Sequence, residues 1–281
     1  MQARKIVAFD RARGLIYEQQ EGARKMKKVC IVGLTGLALV LGCSPREPGP
    51  LNLTHEVVED GGAVKLSWNE IEGADYYRVD VDGDSVAGVT GTSYTVTTPG
   101  KTLTVTAVGV DSSGSISFEV VLSRGIKVWT INDPSPDHPS WVIFDTLGNA
   151  KAATHTERAG AAWFMNDDAA DTAWLNTNWS GEGGWNNNLD VGFAVGSGNI
   201  DEITVAPGLA YYYYKFPPNY GLDDNQVGAF WYDSGADRTL GAGDHFGKFI
   251  ITDYTPADPS YPSATMDIYW QTEPGLRWLI Y

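Results

Sequence analysis

Four histidines, His55, His138, His155 and His245, are the only imidazoles in the chain, so their spacing sets how much metal or acid–base chemistry to expect. Metal-assisted hydrolysis asks for closely spaced histidines with a carboxylate, and none of the four has such a neighbour. Acyl transfer asks for a nucleophile on a strand-turn-helix elbow. Val195-Gly196-Ser197-Gly198 is not G-x-S-x-G and opens no helix. Gly181-Glu182-Gly183-Gly184 likewise lacks the glycine-to-helix junction that cradles a phosphate. Glycoside hydrolysis needs only two carboxylates a few ångströms apart. The last 157 residues carry 20 acids, of which Glu157, Glu182, Glu202 and Glu273 are the glutamates. No catalytic residue and no cofactor site is assigned on these grounds. Three Asp-rich stretches, at 133–139, 166–171 and 221–226, could offer hard oxygens to Ca²⁺. Turn-making by Asp, Asn and Pro is the simpler account of them.

The segment from Trp163 to Trp185 is the most unusual. Trp163, Trp174, Trp179 and Trp185 stand among Asn, Asp and Gly rather than in an alternating pattern. A flat indole beside amides can grip a sugar, the ring stacking on C–H faces while the amides bond hydroxyls. These four are the candidate ligand-binding residues, and pinning a long loop to the fold is the competing role for each.

The elements that must position them are strands. The chain has 281 residues with 43% hydrophobic content, ten Trp, fourteen Tyr, 32 Gly and 14 Pro, which excludes disorder and favours short strands with frequent turns. Residues 51–124 break into AVKLSW, YYRVDV, TSYTV, TLTVTAV and SISFEVVL, period-two runs separated by turn residues. Asp82-Gly83 between two runs predicts a tight hairpin. Residues 125–281 hold nine of the ten tryptophans and about ten strand-like runs, among them EITVA, LAYYYYKF and RWLIY. They predict a larger antiparallel sandwich or jelly-roll-like domain. The Tyr211–Tyr214 run reads as a strand with two tyrosines on each face, and the terminal RWLIY as a strand whose removal is costly.

Charge narrows the partners. Twenty basic and 35 acidic residues give −15, with no Lys/Arg cluster beyond residue 28, so nucleic acid is excluded as a partner. Residues 26–42 read as a signal peptide: two lysines, an apolar run from Val29 to Leu41, and small Gly42. Residues 1–25 read as an over-extended gene start with Met26 as initiator. Without the first 42 residues, 12 basic and 32 acidic side chains remain, or −20 over 239 residues. Cys30 falls inside the signal, so no disulfide is expected. Ser44–Pro50, with three prolines, reads as a linker.

Val40-Leu41-Gly42-Cys43 resembles the lipobox of bacterial lipoproteins. That resemblance implies lipidation at Cys43, a mature chain starting with residues 43–50 as tether, and placement at the outer membrane or cell surface because Ser44 is not Asp. Residues 51–124 resemble a fibronectin type III domain, through Leu66-Ser67-Trp68, Ala74–Val79, Thr92–Val96 and Thr102–Val108. Leu103 stands where that family places a corner tyrosine, so the corner hydroxyl bond is expected to be missing. The combined expectation is an all-β, lipid-anchored envelope protein with a spacer and a non-catalytic binding module for carbohydrate or another surface component. A structural, protein-contacting envelope role is the first alternative and a small glycoside-active enzyme the second.

Overall fold

The computed structural model describes residues 6–10, 15–19 and 49–281, apart from 134, 168–171, 178–189, 197, 213–214, 218–220, 236, 238, 242 and 257–260. The chain divides into two units, Met1–Glu47 and Pro48–Tyr281. In the first, Ile6–Asp10 (β1) and Leu15–Gln19 (β2) pair antiparallel, Ile6 opposite Gln19. The signal segment and Cys43 lie outside the described residues.

The second unit is all-β, as the alternating runs predict, and begins with a seven-stranded sandwich. Leu53–Val58 (β3), Ala63–Trp68 (β4) and Ser93–Val96 (β7) form one sheet in the order β3-β4-β7. Tyr76–Val81 (β5), Asp84–Val89 (β6), Thr102–Val108 (β8) and Ser112–Ser117 (β9) form the other in the order β6-β5-β8-β9. Along β8 the side chains of Leu103, Val105 and Ala107 are fully buried while the intervening threonines are half-exposed, the period-two pattern of a one-faced sheet. The β5–β6 hairpin closes on Asp82 and Gly83, with φ of 50° and 92°. Both residues tolerate this left-handed geometry, and the Asp82 carboxylate also accepts from the Lys101 and Thr102 amides. Leu103 is core, and a side-chain hydroxyl reaches the backbone from elsewhere: Tyr77 Oη accepts from the Ile71 amide at 2.8 Å.

Ten further strands make two five-stranded antiparallel sheets. One has the order β10-β19-β18-β17-β15, from Val120–Trp129 (β10), Asp190–Val195 (β15), Val227–Asp233 (β17), His245–Thr255 (β18) and Ser263–Gln271 (β19). The other has the order β12-β11-β13-β14-β16, from Trp141–Phe144 (β11), Ala150–Ala153 (β12), Trp163–Asp167 (β13), Ala173–Asn176 (β14) and Lys215–Phe216 (β16). Their shared core is aromatic, with Trp163, Phe193, Phe216, Phe230 and Phe249 in mutual ring contact. Strand β10 runs straight through the compositional change at residue 125. A bulge between Ser123 and Ile126 falls there, with Gly125 at φ 65° and its amide donating to Asp267 Oδ1 at 2.8 Å.

Three expected strands take other forms. In EITVA the chain makes a 3-10 turn, Ile200–Glu202, capped by the Asn199 side chain, and then forms an isolated β-bridge, Val205 opposite Trp278. In LAYYYYKF it makes a 3-10 turn at Leu209–Tyr211, leaving only Lys215–Phe216 in a sheet. A run that is aromatic at every position has no period to distinguish strand from turn. Tyr211 is exposed, whereas Tyr212 packs on Trp231 and Phe246. The terminal RWLIY is not a strand, yet its Trp278 and Leu279 are buried, as is Leu276 just before it, so its expected cost of removal rests on packing rather than on sheet pairing. Leu276 and Trp278 join the core of the first sandwich, and Leu279 joins Trp231 and Phe246.

Candidate functional site

The chain forms a cleft of about 600 Å³ where the edge of β10 meets the start of β18, the end of β19 and the loop between β11 and β12. Asp145 shapes that loop. Its carboxylate accepts from the amides of Leu147 and Asn149 and from the Asn149 side chain, which holds its pKa below the usual carboxylate value. Gly148, at φ 83°, lies flat against an indole: a Cβ there would sit 2.1 Å from Trp270 Cδ1. The loop thereby presents Leu147, 70% exposed, at the rim.

His245 stacks on Trp270 with centroids 4.7 Å apart and planes 29° from parallel. Its Nδ1 lies 2.9 Å from the Gln271 carbonyl, which fixes the neutral tautomer as Nδ1–H and leaves Nε2 as an acceptor. Burial lowers the His245 pKa, and the Gln271 carbonyl, Asp244 and Glu273 offset only part of that. The folded chain therefore binds this proton less readily than the unfolded chain. Stability should be intact above the ordinary histidine value and fall as pH drops below about 6.5. His245→Gln is expected to flatten that acid limb in a thermal-melt series, and an unchanged limb would contradict this account.

Tyr281, 56% exposed, packs edge-on against Tyr269 at 5.2 Å and lies under the Lys101 ammonium at 5.6 Å. Polar lining comes from Glu119, Thr146, Asn149 and Thr272. The Thr272 amide donates to the Glu119 carbonyl, and Val121 lies opposite Trp270. In an antiparallel ladder, residues on either side of such a bonded pair turn their backbone groups outward. Val120 and Leu122, on the edge strand, thus turn their amide and carbonyl groups away from β19 and along the cleft.

Of the four candidate tryptophans, the two described ones, Trp163 and Trp174, do not line this cleft. Trp163 is 1% exposed at the centre of the aromatic core, which corrects its expected place on a ligand surface: no sugar can reach it. Trp174, half-buried on β14, lies opposite Asn166 and so on the sheet face opposite to that of Trp163. Trp179 and Trp185 lie outside the described residues. The expected exposed tyrosine pair is also corrected: Tyr211 and Tyr212 flank the end of a 3-10 turn, and Tyr213 and Tyr214 are outside the described residues.

Described carboxylates of the Asp-rich stretches meet donors from the chain itself, near and far in sequence. Asp133 accepts from the Ser135 amide and meets His138 Nδ1 at 2.6 Å; Asp167 accepts from Asn132, and Asp224 from the Tyr254 amide. Among the described residues no three His, Cys, Asp or Glu side chains converge as metal ligands would. Sequence reasoning missed His245 and Trp270 as neighbours because 25 positions separate them and only the β18–β19 register joins them. No family model matches the chain, and no curated protein matches it.

Proposed function

We propose that this is an exported envelope protein, anchored through lipid on Cys43, whose first sandwich is a fibronectin type III-like spacer and whose second sandwich binds carbohydrate or another surface component without catalysis. The observation that carries the binding reading is the cleft, where exposed Tyr281 offers ring surface beside Asn149, Thr272, Thr146 and Glu119. Rings for C–H faces and short polar side chains for hydroxyls are the pairing a sugar needs. Glu119 is the only carboxylate side chain in the described lining, whereas hydrolysis of a glycosidic bond uses a pair. The absence of a basic cluster in the exported body supports anchoring by lipid rather than by charge.

The test is polysaccharide pull-down and titration with the full chain, following tryptophan fluorescence. Saturable binding is expected, weakened about three- to tenfold by Tyr281→Ala. Binding that Tyr281→Ala leaves untouched would remove the cleft from the proposal. Cys43→Ser should release the chain from the membrane fraction, and its retention there would sink the anchor. A second reading, docking of a partner protein, is favoured by the outward backbone of Val120 and Leu122, which could accept an added strand. Flat responses to every polysaccharide would turn the search to such a partner.

A further inference from the structure

Arg277 sits in the tail that links the two sandwiches, and its guanidinium is walled by residues without side chains. A Cβ added at Gly62 would lie 3.2 Å from one terminal nitrogen, a Cβ at Gly208 would lie 3.3 Å from the other, and a Cβ at Gly61 would press on the stem at 2.9 Å. Main-chain bonds fix the residue in place, its amide donating to the Gly61 carbonyl and its carbonyl accepting from the Ala206 amide. The Arg277 Nε is shut from solvent and has no acceptor. Tyr212 lies within the reach of the Arg277 charge, and its hydroxyl is also buried without a partner. Burial drives the Tyr212 pKa far upward, so the hydroxyl stays a donor. Buried donors are almost always satisfied, and a guanidinium offers a planar fork suited to two oxygens of one anion. In a chain with 35 acidic residues, no carboxylate among the described residues forms an ion pair with this arginine.

We infer that Arg277 and Tyr212, in their glycine-walled setting, form a binding site for a small oxyanion, a carboxylate or a phosphate borne by a ligand. The site is separate from the sugar cleft and does not depend on it. The fork supplies paired N–H donors and charge, Tyr212 supplies a further O–H, and the wall is open at Gly208, where a Cβ would meet only the guanidinium within 4 Å. A uronic acid and a phosphorylated sugar or headgroup share this chemistry.

Calorimetric titration of the full chain with glucuronate, inorganic phosphate and neutral glucose tests the inference. Saturable heat is expected with glucuronate or phosphate and none with glucose. Glucuronate alone would assign the site to carboxylates, and phosphate alone to phosphate groups. Arg277→Gln should weaken the binding anion on the order of tenfold or more, and Arg277→Lys should restore only part because it keeps charge without the fork. Should Arg277→Gln fail to fold, Tyr212→Phe keeps the ring packing and is expected to weaken binding several-fold. No saturable binding of either anion, or equal binding by wild type and Tyr212→Phe or Arg277→Gln, would overturn the site.

Discussion

Trp278→Ala should lower the stability of the first sandwich by about 3–5 kcal/mol, although the residue is separated from it by the whole second domain. Trp278 is 1% exposed, packs edge-on against Phe118 at 5.9 Å, and donates its indole N–H to the Gly62 carbonyl at 3.1 Å. Its own carbonyl is taken by the Gln271 side chain. Truncation would open a cavity beside Phe118, in the core cluster that also holds Leu66, Val79 and Val105, and strand the Gly62 carbonyl. Hydrogen exchange should show protection falling at the Leu66 and Val105 amides more than at Phe230. A loss under about 1 kcal/mol in urea titration would mean that the tail is not docked as described.

Trp163→Ala should cost a similar 3–5 kcal/mol and act through the second sandwich. Its ring touches Phe144, Phe193, Phe230 and Phe249, so truncation empties the centre of the aromatic cluster. Trp163→Phe is the informative companion. The indole Nε1 is buried with no acceptor, so replacing the ring by phenyl removes an unsatisfied donor along with some volume, and the loss should be less than half as large. Polysaccharide affinity should be the same in Trp163→Phe as in wild type. A tenfold fall in that affinity with unchanged melting would restore Trp163 as a ligand residue.

The fold class was legible because period-two burial writes itself into the sequence, as in Leu103, Val105 and Ala107 of β8. The Asp82-Gly83 hairpin was legible because so few residues accept positive φ. Where every residue is aromatic, as at Tyr211 and Tyr212, alternation carries no information and a 3-10 turn went unseen. Composition marked residue 125 as a boundary, yet it cannot show that the backbone continues through a bulge there as one strand. The candidate site was less legible still. Trp163 and Trp174 are neighbours in sequence whose sheet faces differ, while His245 and Trp270 are distant in sequence and stacked. Register, which no local pattern encodes, decides both cases.

The return of the tail also sets an order of events. His55 meets Glu273 across 218 positions and Gly62 meets Trp278 across 216, so the first sandwich receives its last core residues only after the second has been made. Residues that emerge first from the ribosome finish folding last, and loop closure over such a span is slow. Under the export proposed above, a first sandwich that cannot close until Trp278 arrives would still be open when it reached a translocation pore.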